Sequence, residues 1–147
     1  EETHTRGAAG QTMRILIDTN VILDILQKRE PFFADSYRAL RKAIENDAEC
    51  LISASTATDI FYMLRKSLGS AQQAKEQIEQ LAQLVSFADV QGMDIHTALM
   101  RVMPDFEDAV VDAVAERNGA SYILTRNIKD FAGSAVPALL PADFLNK

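Results

Sequence analysis

Five aspartates stand where a carboxylate could do chemistry. Asp18 follows an apolar run, Asp59 lies three residues after Thr56, and Asp105, Asp108 and Asp112 come just after Pro104. On a helix turning ~100° per residue, the last three fall within an arc of roughly 60°, beside a stripe of Phe106, Val110 and Val114. Each has an ordinary alternative: Asp18 and Asp105 as helix caps, Asp59 as the partner of Thr56 in a capping box, Asp108 as a favourable charge at a helix start. That alternative is weakest for Asp112, two turns in. Two carboxylates ~4 Å apart repel by about 4 kcal/mol at an effective dielectric of ~20. Convergence of Asp18, Asp59 and Asp108 without a counter-charge would remove a large part of a marginal stability. It would therefore imply raised pKa values, a basic partner or bound cations. With no clustered His or Cys, such hard oxygen ligands favour Mg²⁺ or Mn²⁺ over zinc.

The elements that must position these acids alternate along the chain. Ile15-Leu16-Ile17 reads as a buried parallel strand ending at Asp18, and a helical turn through Val21, Ile22, Ile25 and Leu26 follows, closed by Pro31. Tyr37, Leu40 and Ile44 recur at helical spacing before a second apolar run, Cys50-Leu51-Ile52. Thr56-x-x-Asp59 predicts a helix start ahead of Ile60, Phe61, Leu64 and Leu68, stopped by Gly69, and Ser70-x-x-Gln73 predicts the next. Val85–Ala88 is a weak strand candidate. Asp94 predicts the cap of a helix reaching Met103, and a further helix runs from about Phe106 to Asn118 with Gly119 beyond it. Tyr122-Ile123-Leu124 is the fourth strand candidate, and a poor fifth lies in Ala135–Leu140, broken by Pro137. This pattern predicts a three-layer α/β/α domain with a central parallel sheet of four to five strands flanked by helices. Ligands of such sheets bind beyond the carboxyl ends of the strands, which directs attention to Asp18-Thr19-Asn20, Ser53 to Ser55 and Thr125-Arg126-Asn127.

On these segments the chain resembles the PIN-domain family, and within it the bacterial toxin-type ribonucleases. The run Ile15 to Asp24 matches the family's opening strand, acid and helix; Ser53 to Ile60 matches the second acidic helix, with Asp59 where the family usually has Glu. Asp105-Phe106-Glu107-Asp108-Ala109 matches the third acidic segment, and Ile123 to Phe131 the segment with the fourth polar position. The likeness spans Met13 to about Phe144 in the family's order. It implies that Asp18 and Asp108 hold Mg²⁺ or Mn²⁺, with Asp59 ligating directly or through water and Asp105 a secondary catalytic acid. Asn20 would orient Asp18, and Thr125 would support the site through its hydroxyl. The fourth acidic position holds Asn127, with Asp130 three residues on, a departure that bears on a second metal. The implied activity is endoribonuclease cleavage leaving a 5′-phosphate and a 3′-hydroxyl. Implied partners are an RNA substrate, a small antitoxin with a basic tail, and a second copy in a homodimer. Arg126, and Lys66 on the helical face of Asp59, are weaker candidates for RNA phosphates.

Composition bounds the reading. The chain has 147 residues and 15 Lys+Arg against 21 Asp+Glu, a net charge of −6. That length suits one domain over 13–147, with 1–12 expected to be a leader or cloning remnant carrying His4. His96, near a predicted helix start, reads as structural, leaving no histidine placed as a general base. No apolar run approaches ~18 residues, so no membrane span is expected. One cysteine, Cys50, excludes an internal disulfide and fits a cytoplasmic setting. The acidic balance argues against a broad electrostatic grip on nucleic acid. Two divalent cations would bring four positive charges and a formal total of −2. A haloacid-dehalogenase-type phosphotransferase needs an Asp where Asn20 stands, and no phosphate-binding glycine loop occurs. The rival is a PIN-like domain that binds RNA or protein without cutting, a reading that Asn127 keeps open.

Overall fold

The computed structural model describes residues 12–147; the expected leader, His4 included, lies almost wholly outside the described residues. Five short strands form one parallel sheet: β1 (Arg14–Ile17), β2 (Glu49–Ser53), β3 (Ser86–Ala88), β4 (Tyr122–Leu124) and β5 (Ala138–Leu139). Their spatial order is β3-β2-β1-β4-β5. The chain thus builds outward from β1 on one side, then crosses back to build on the other. The order reverses between β1 and β4, where a doubly wound sheet opens a crevice at its carboxyl edge.

Period-two alternation sends neighbouring residues to opposite faces. Ile15, Ile17, Cys50, Ile52 and Leu124 pack into one core with α1 (Thr19–Leu26), α2 (Phe33–Glu45), α3 (Ala54–Leu68), α4 (Ala71–Leu81) and α7 (Pro141–Phe144). Leu16, Leu51 and Ile123 pack into a second core with α5 (Gly92–Met100) and α6 (Phe106–Arg117). Three layers result, as the sequence predicts. Cys50 is buried, and burial pushes its thiol up to about 11, so it is an inert part of the first core. Among the described residues no helix is long and apolar enough to cross a membrane.

Several element boundaries differ from the sequence expectation. α3 starts at Ala54, capped by Ser53, whose side chain accepts from the Ser55 N–H. Thr56 is therefore inside the first turn, where its hydroxyl donates to the Ser53 carbonyl at 2.9 Å, and it does not cap. The true cap ends β2, so strand and helix join without a loop. In α5 the N-cap is Gln91 and Asp94 sits at the third helical position, bonding back to the Gln91 N–H at 2.9 Å. That helix stops at Met100, ahead of the expected Met103. Ser70 does cap α4, and Gly69 ends α3 at φ +69°, where a side chain would be strained.

Candidate active site

The tightest part of the crevice is built around Asp18, which sits between β1 and α1. Its N–H donates to the Leu124 carbonyl at 2.9 Å, continuing the β1–β4 ladder past the strand end. One carboxylate oxygen accepts from the Thr19 N–H at 2.9 Å and caps α1. The other accepts from Thr125 Oγ1 at 2.8 Å and from Asn20 Nδ2 at 3.2 Å. Asn20 in turn accepts the Arg126 N–H at 3.1 Å, and the Asn127 N–H donates to Thr125 Oγ1 at 3.0 Å. The ends of β1 and β4 are thereby laced together through side chains. Asp18 is a cap and a cavity residue at once, so the two sequence readings were not exclusive.

Asp18, Asn20, Asp59, Glu107, Asp108 and Asn127 line a single cavity of ≈ 280 Å³, walled further by Arg29, Thr56, Met63 and Val111. Asp59 comes from α3 and Glu107 and Asp108 from the first turn of α6, whose N-cap is Asp105, accepting from the Asp108 N–H at 2.9 Å. Asp105 does not line the cavity. Burial, then the charges of Asp18, Asp105, Asp130 and Glu107, raise the Asp108 carboxyl to about 7. Burial also raises Asp18, against the hydrogen bonds from Thr125, Thr19 and Asn20, and the charge of Asp130 adds to the rise. Glu107 is raised by burial and by Asp59 beside it. Asp130, in the 3₁₀ turn Ile128–Phe131, thus acts on the cluster through its charge.

Arg29 is the cation in this wall, and its Nε already donates to Gln27 Oε1 at 2.8 Å. The donor set is oxygen only, anionic and under mutual repulsion, which is the chemistry a hard divalent cation neutralises. The carboxylates ring the opening and do not meet at a point: among the described residues no three His, Cys, Asp or Glu side chains form a ready metal-holding group.

Other predicted residues go elsewhere. Asp112 does not share a polar face with Asp105 and Asp108, because α6 is buried on every side from Ala109 to Ala115. It is caged by Arg101 Nε at 2.9 Å and the N–H groups of Ala135 and Val136 at 2.9 and 3.0 Å. The Arg126 guanidinium is committed to Asp24, donating at 2.7 and 3.1 Å, and lies 3.8 Å over the Phe32 ring. Lys66 is exposed on α3, two turns beyond Asp59, and does not line the cavity. Sequence reasoning missed Glu107 and Arg29. Glu107 lies off the arc that Asp105, Asp108 and Asp112 define, and only its place in the first turn beside Asp108 signalled it. Arg29 follows α1 in an irregular turn with no periodic signal.

The PIN domain family model matches residues 14–129, which contain every cavity residue named above. This chain belongs to the PIN domain family. Ribonuclease VapC1 of Aquifex aeolicus (strain VF5) is 23% identical to this PIN domain over 139 residues, covering 91% of this chain and 94% of the relative. Among solved structures, VapBC2 of Rickettsia felis bound to a promoter DNA fragment superposes with a TM-score of 0.71 at 17% identity. That match covers 87% of this chain and 98% of the other. VapC20 of Mycobacterium tuberculosis, a Sarcin-Ricin loop cleaving toxin, gives 0.62 at 18% identity over 82% and 96% of the two chains. At these identities the superpositions speak for the fold.

Proposed function

We propose that this PIN domain is a Mg²⁺- or Mn²⁺-dependent endoribonuclease, the toxin of a toxin–antitoxin pair. The observation that carries the reading is the cavity itself. Asp18, Asp59, Glu107 and Asp108 face one opening at the sheet's switch point, and Asp108 is raised to about 7 by burial and like charges. A fold maintains such repulsion when a ligand of opposite charge relieves it. The names of its relatives, a ribonuclease VapC1 and a Sarcin-Ricin loop cleaving toxin, point to RNA as the substrate.

Asp18, Asp59 and Asp108 would hold the cation, with Glu107 joining the wall. The cation, when bound, supplies polarisation of a phosphodiester and a water of lowered pKa. The chain's own residues do the rest. Thr19, Thr125 and Asn20 hold both Asp18 oxygens in place, so the carboxylate needs little reorganisation. Deprotonated Asp108 presents its charge to the opening, and Asp105 fixes the α6 start behind it. Asn127 replaces an acid at the rim and lowers the total negative charge there, which favours one tightly held cation over two. Asp130 supplies long-range negative charge.

A small antitoxin with a basic tail fits the same acidic opening by charge complementarity. A homodimer fits the apolar strip Met93, Leu99, Met100 and Val102, of which Met100 is 82% and Val102 90% exposed. A cytoplasmic site of action follows from the RNA substrate.

The test incubates structured RNAs with wild type and Asp18→Asn in Mg²⁺, Mn²⁺ or EDTA. Cleavage only by wild type with metal is expected. Cleavage in EDTA, or equal cutting by the variant, overturns the mechanism. Asn127 in place of an acid favours one other reading, an RNA-binding domain without activity. RNA binding by a wild type that cuts nothing would select it.

A further inference from the structure

We infer that the exposed face of α2 is a track for single-stranded RNA leading away from the acidic cavity, an inference that rests on the ribonuclease reading. Residues 28–42 carry five cations (Lys28, Arg29, Arg38, Arg41 and Lys42) against two acids, while the rest of the chain has ten cations against nineteen acids. This locally basic stretch of an acidic protein starts at the cavity wall, where Arg29 stands. The Arg29 carbonyl accepts the Phe33 N–H at 2.7 Å, so the wall passes directly into the first turn of α2.

Along α2, Phe33 and Tyr37 stack with centroids 5.5 Å apart and ring planes 15° apart. The Arg41 guanidinium lies 5.9 Å from the Tyr37 ring. These side chains and Arg38 line an open groove of ≈ 530 Å³. Lys42 is committed to the carbonyls of Phe144, Leu145 and Lys147, holding the chain end. Arg41 pairs with Glu45 at 2.7 Å, both largely exposed, a contact that competing phosphates displace at little cost. No carboxylate among the described residues pairs with Arg38. From Phe33 to Arg41 the helix rises about 12 Å.

The charge pattern calls for a polyanion, and the stacked rings select one with flat faces. Every base offers a π-face to Tyr37 and Phe33, while Arg38 and Arg41 meet phosphates. An acidic peptide would use the arginines and leave the aromatic pair without a role. Function requires such a track, because the cavity repels the phosphate backbone it must admit.

The experiment measures fluorescence anisotropy of a labelled, mixed-sequence single-stranded RNA with the full chain in EDTA across a salt series. Cleavage in Mg²⁺ is then followed with the same proteins. Arg38→Ala with Arg41→Ala is expected to weaken binding at least tenfold and to make the log K against log salt slope shallower by about 1.4, at ~0.7 per lost phosphate contact. In Mg²⁺, KM should rise with kcat unchanged. Tyr37→Ala should weaken binding roughly tenfold with the slope unchanged. Glu45→Gln, which frees Arg41, should tighten binding and steepen the slope, and it serves if the double variant fails to fold. Unchanged affinity and slope in these variants overturn the track. So does an acidic peptide, polyglutamate, that binds through the same arginines more tightly than RNA. Salt-dependent binding through α2 by a wild type that cuts no RNA would keep the track and remove the ribonuclease reading. Cleavage by wild type with normal binding by the double variant would do the reverse.

Discussion

Asp108 and Asp112 stand one turn apart on α6 and live in opposite electrostatic worlds. Asp112 is wholly buried, yet each oxygen is matched: Arg101 and the Ala135 N–H on one, the Val136 N–H on the other. Asp24 on α1 is the same kind of acid, wholly buried and held by Arg126 and by the Ser36 hydroxyl at 3.2 Å. Asp94 on α5 pairs with Arg117 at 2.9 Å. Asp108 is less buried than Asp112 but faces Asp18, Asp105, Asp130 and Glu107, while Arg29 in the same cavity wall has its Nε on Gln27. The fold has arginines to pair with acids and places them where the acid ties elements together. At the crevice none of the ion pairs among the described residues takes in Asp18, Asp59, Glu107 or Asp108. Pairing marks the acids that hold the structure, and its absence marks the acids kept for a ligand.

The largest expected effect separates these two groups by activity. Asp18→Asn should cut RNA cleavage by about a hundredfold or more, since the cation it helps hold is worth several kcal/mol of transition-state stabilisation. The same variant should melt a few degrees higher without metal, as one repelling charge is gone. Wild-type cleavage by Asp18→Asn would leave Asp18 a helix cap and dissolve the contrast. Next comes Asp112→Ala, which leaves Arg101 only its exposed partner Glu116, strands the Ala135 and Val136 N–H groups, and should cost about 3–5 kcal/mol in urea unfolding. A loss under about 1 kcal/mol would show that the cage adds nothing to the fold. Smaller still is the outcome at Asp24 and Arg126. Arg126→Ala, which leaves a buried carboxylate unpaired, should destabilise strongly, whereas Asp24→Leu with Arg126→Met should restore stability to within about 2 kcal/mol of wild type. If the double variant stays as unstable as the single, the pair contributes more than mutual neutralisation.

This distinction was only partly legible in the sequence. Ile15-Leu16-Ile17 and Tyr122-Ile123-Leu124 are continuous apolar runs, and a parallel strand buried on both faces has to look like that. The position of Asp18 directly after such a run places it at the carboxyl edge of the sheet. Asp112 was misread for a physical reason: helical periodicity assumes one wet face, and α6 from Ala109 onward has none. Nothing local tells which arginine meets which acid, since Arg101 and Asp112 lie eleven residues apart and Arg126 and Asp24 lie 102 apart. Those pairings are products of the tertiary fold. Arg126 looked like a surface cation beside the site, and only the fold turned it inward onto Asp24 and Phe32. Thr56 followed the capping-box spacing, but Ser53, ending β2, reached the helix first.

The smallest effect concerns protons and tests the unpaired group on its own terms. Asp108 keeps its proton to about 7 in the folded chain, against 3.8 for an ordinary aspartate. Between those values the unfolded chain binds fewer protons than the native one, so metal-free stability should fall as pH rises from about 4 to about 7 and level off above. Asp18 and Glu107 are raised in the same direction and add to the slope. Asp108 is partly open to water, which screens its repulsion, so a drop of a few degrees in Tm is expected. Mg²⁺ binds the ionised form, so its stabilisation should be larger at pH 8 than at pH 6. Asp108→Asn should flatten the metal-free slope and shrink the Mg²⁺ shift. Asp112→Asn, which leaves Asp108 in place, should lower the whole curve and keep the slope. A slope that survives Asp108→Asn unchanged would move the repulsion to Asp18 and Glu107, and the contrast within α6 would become one between α6 and the end of β1.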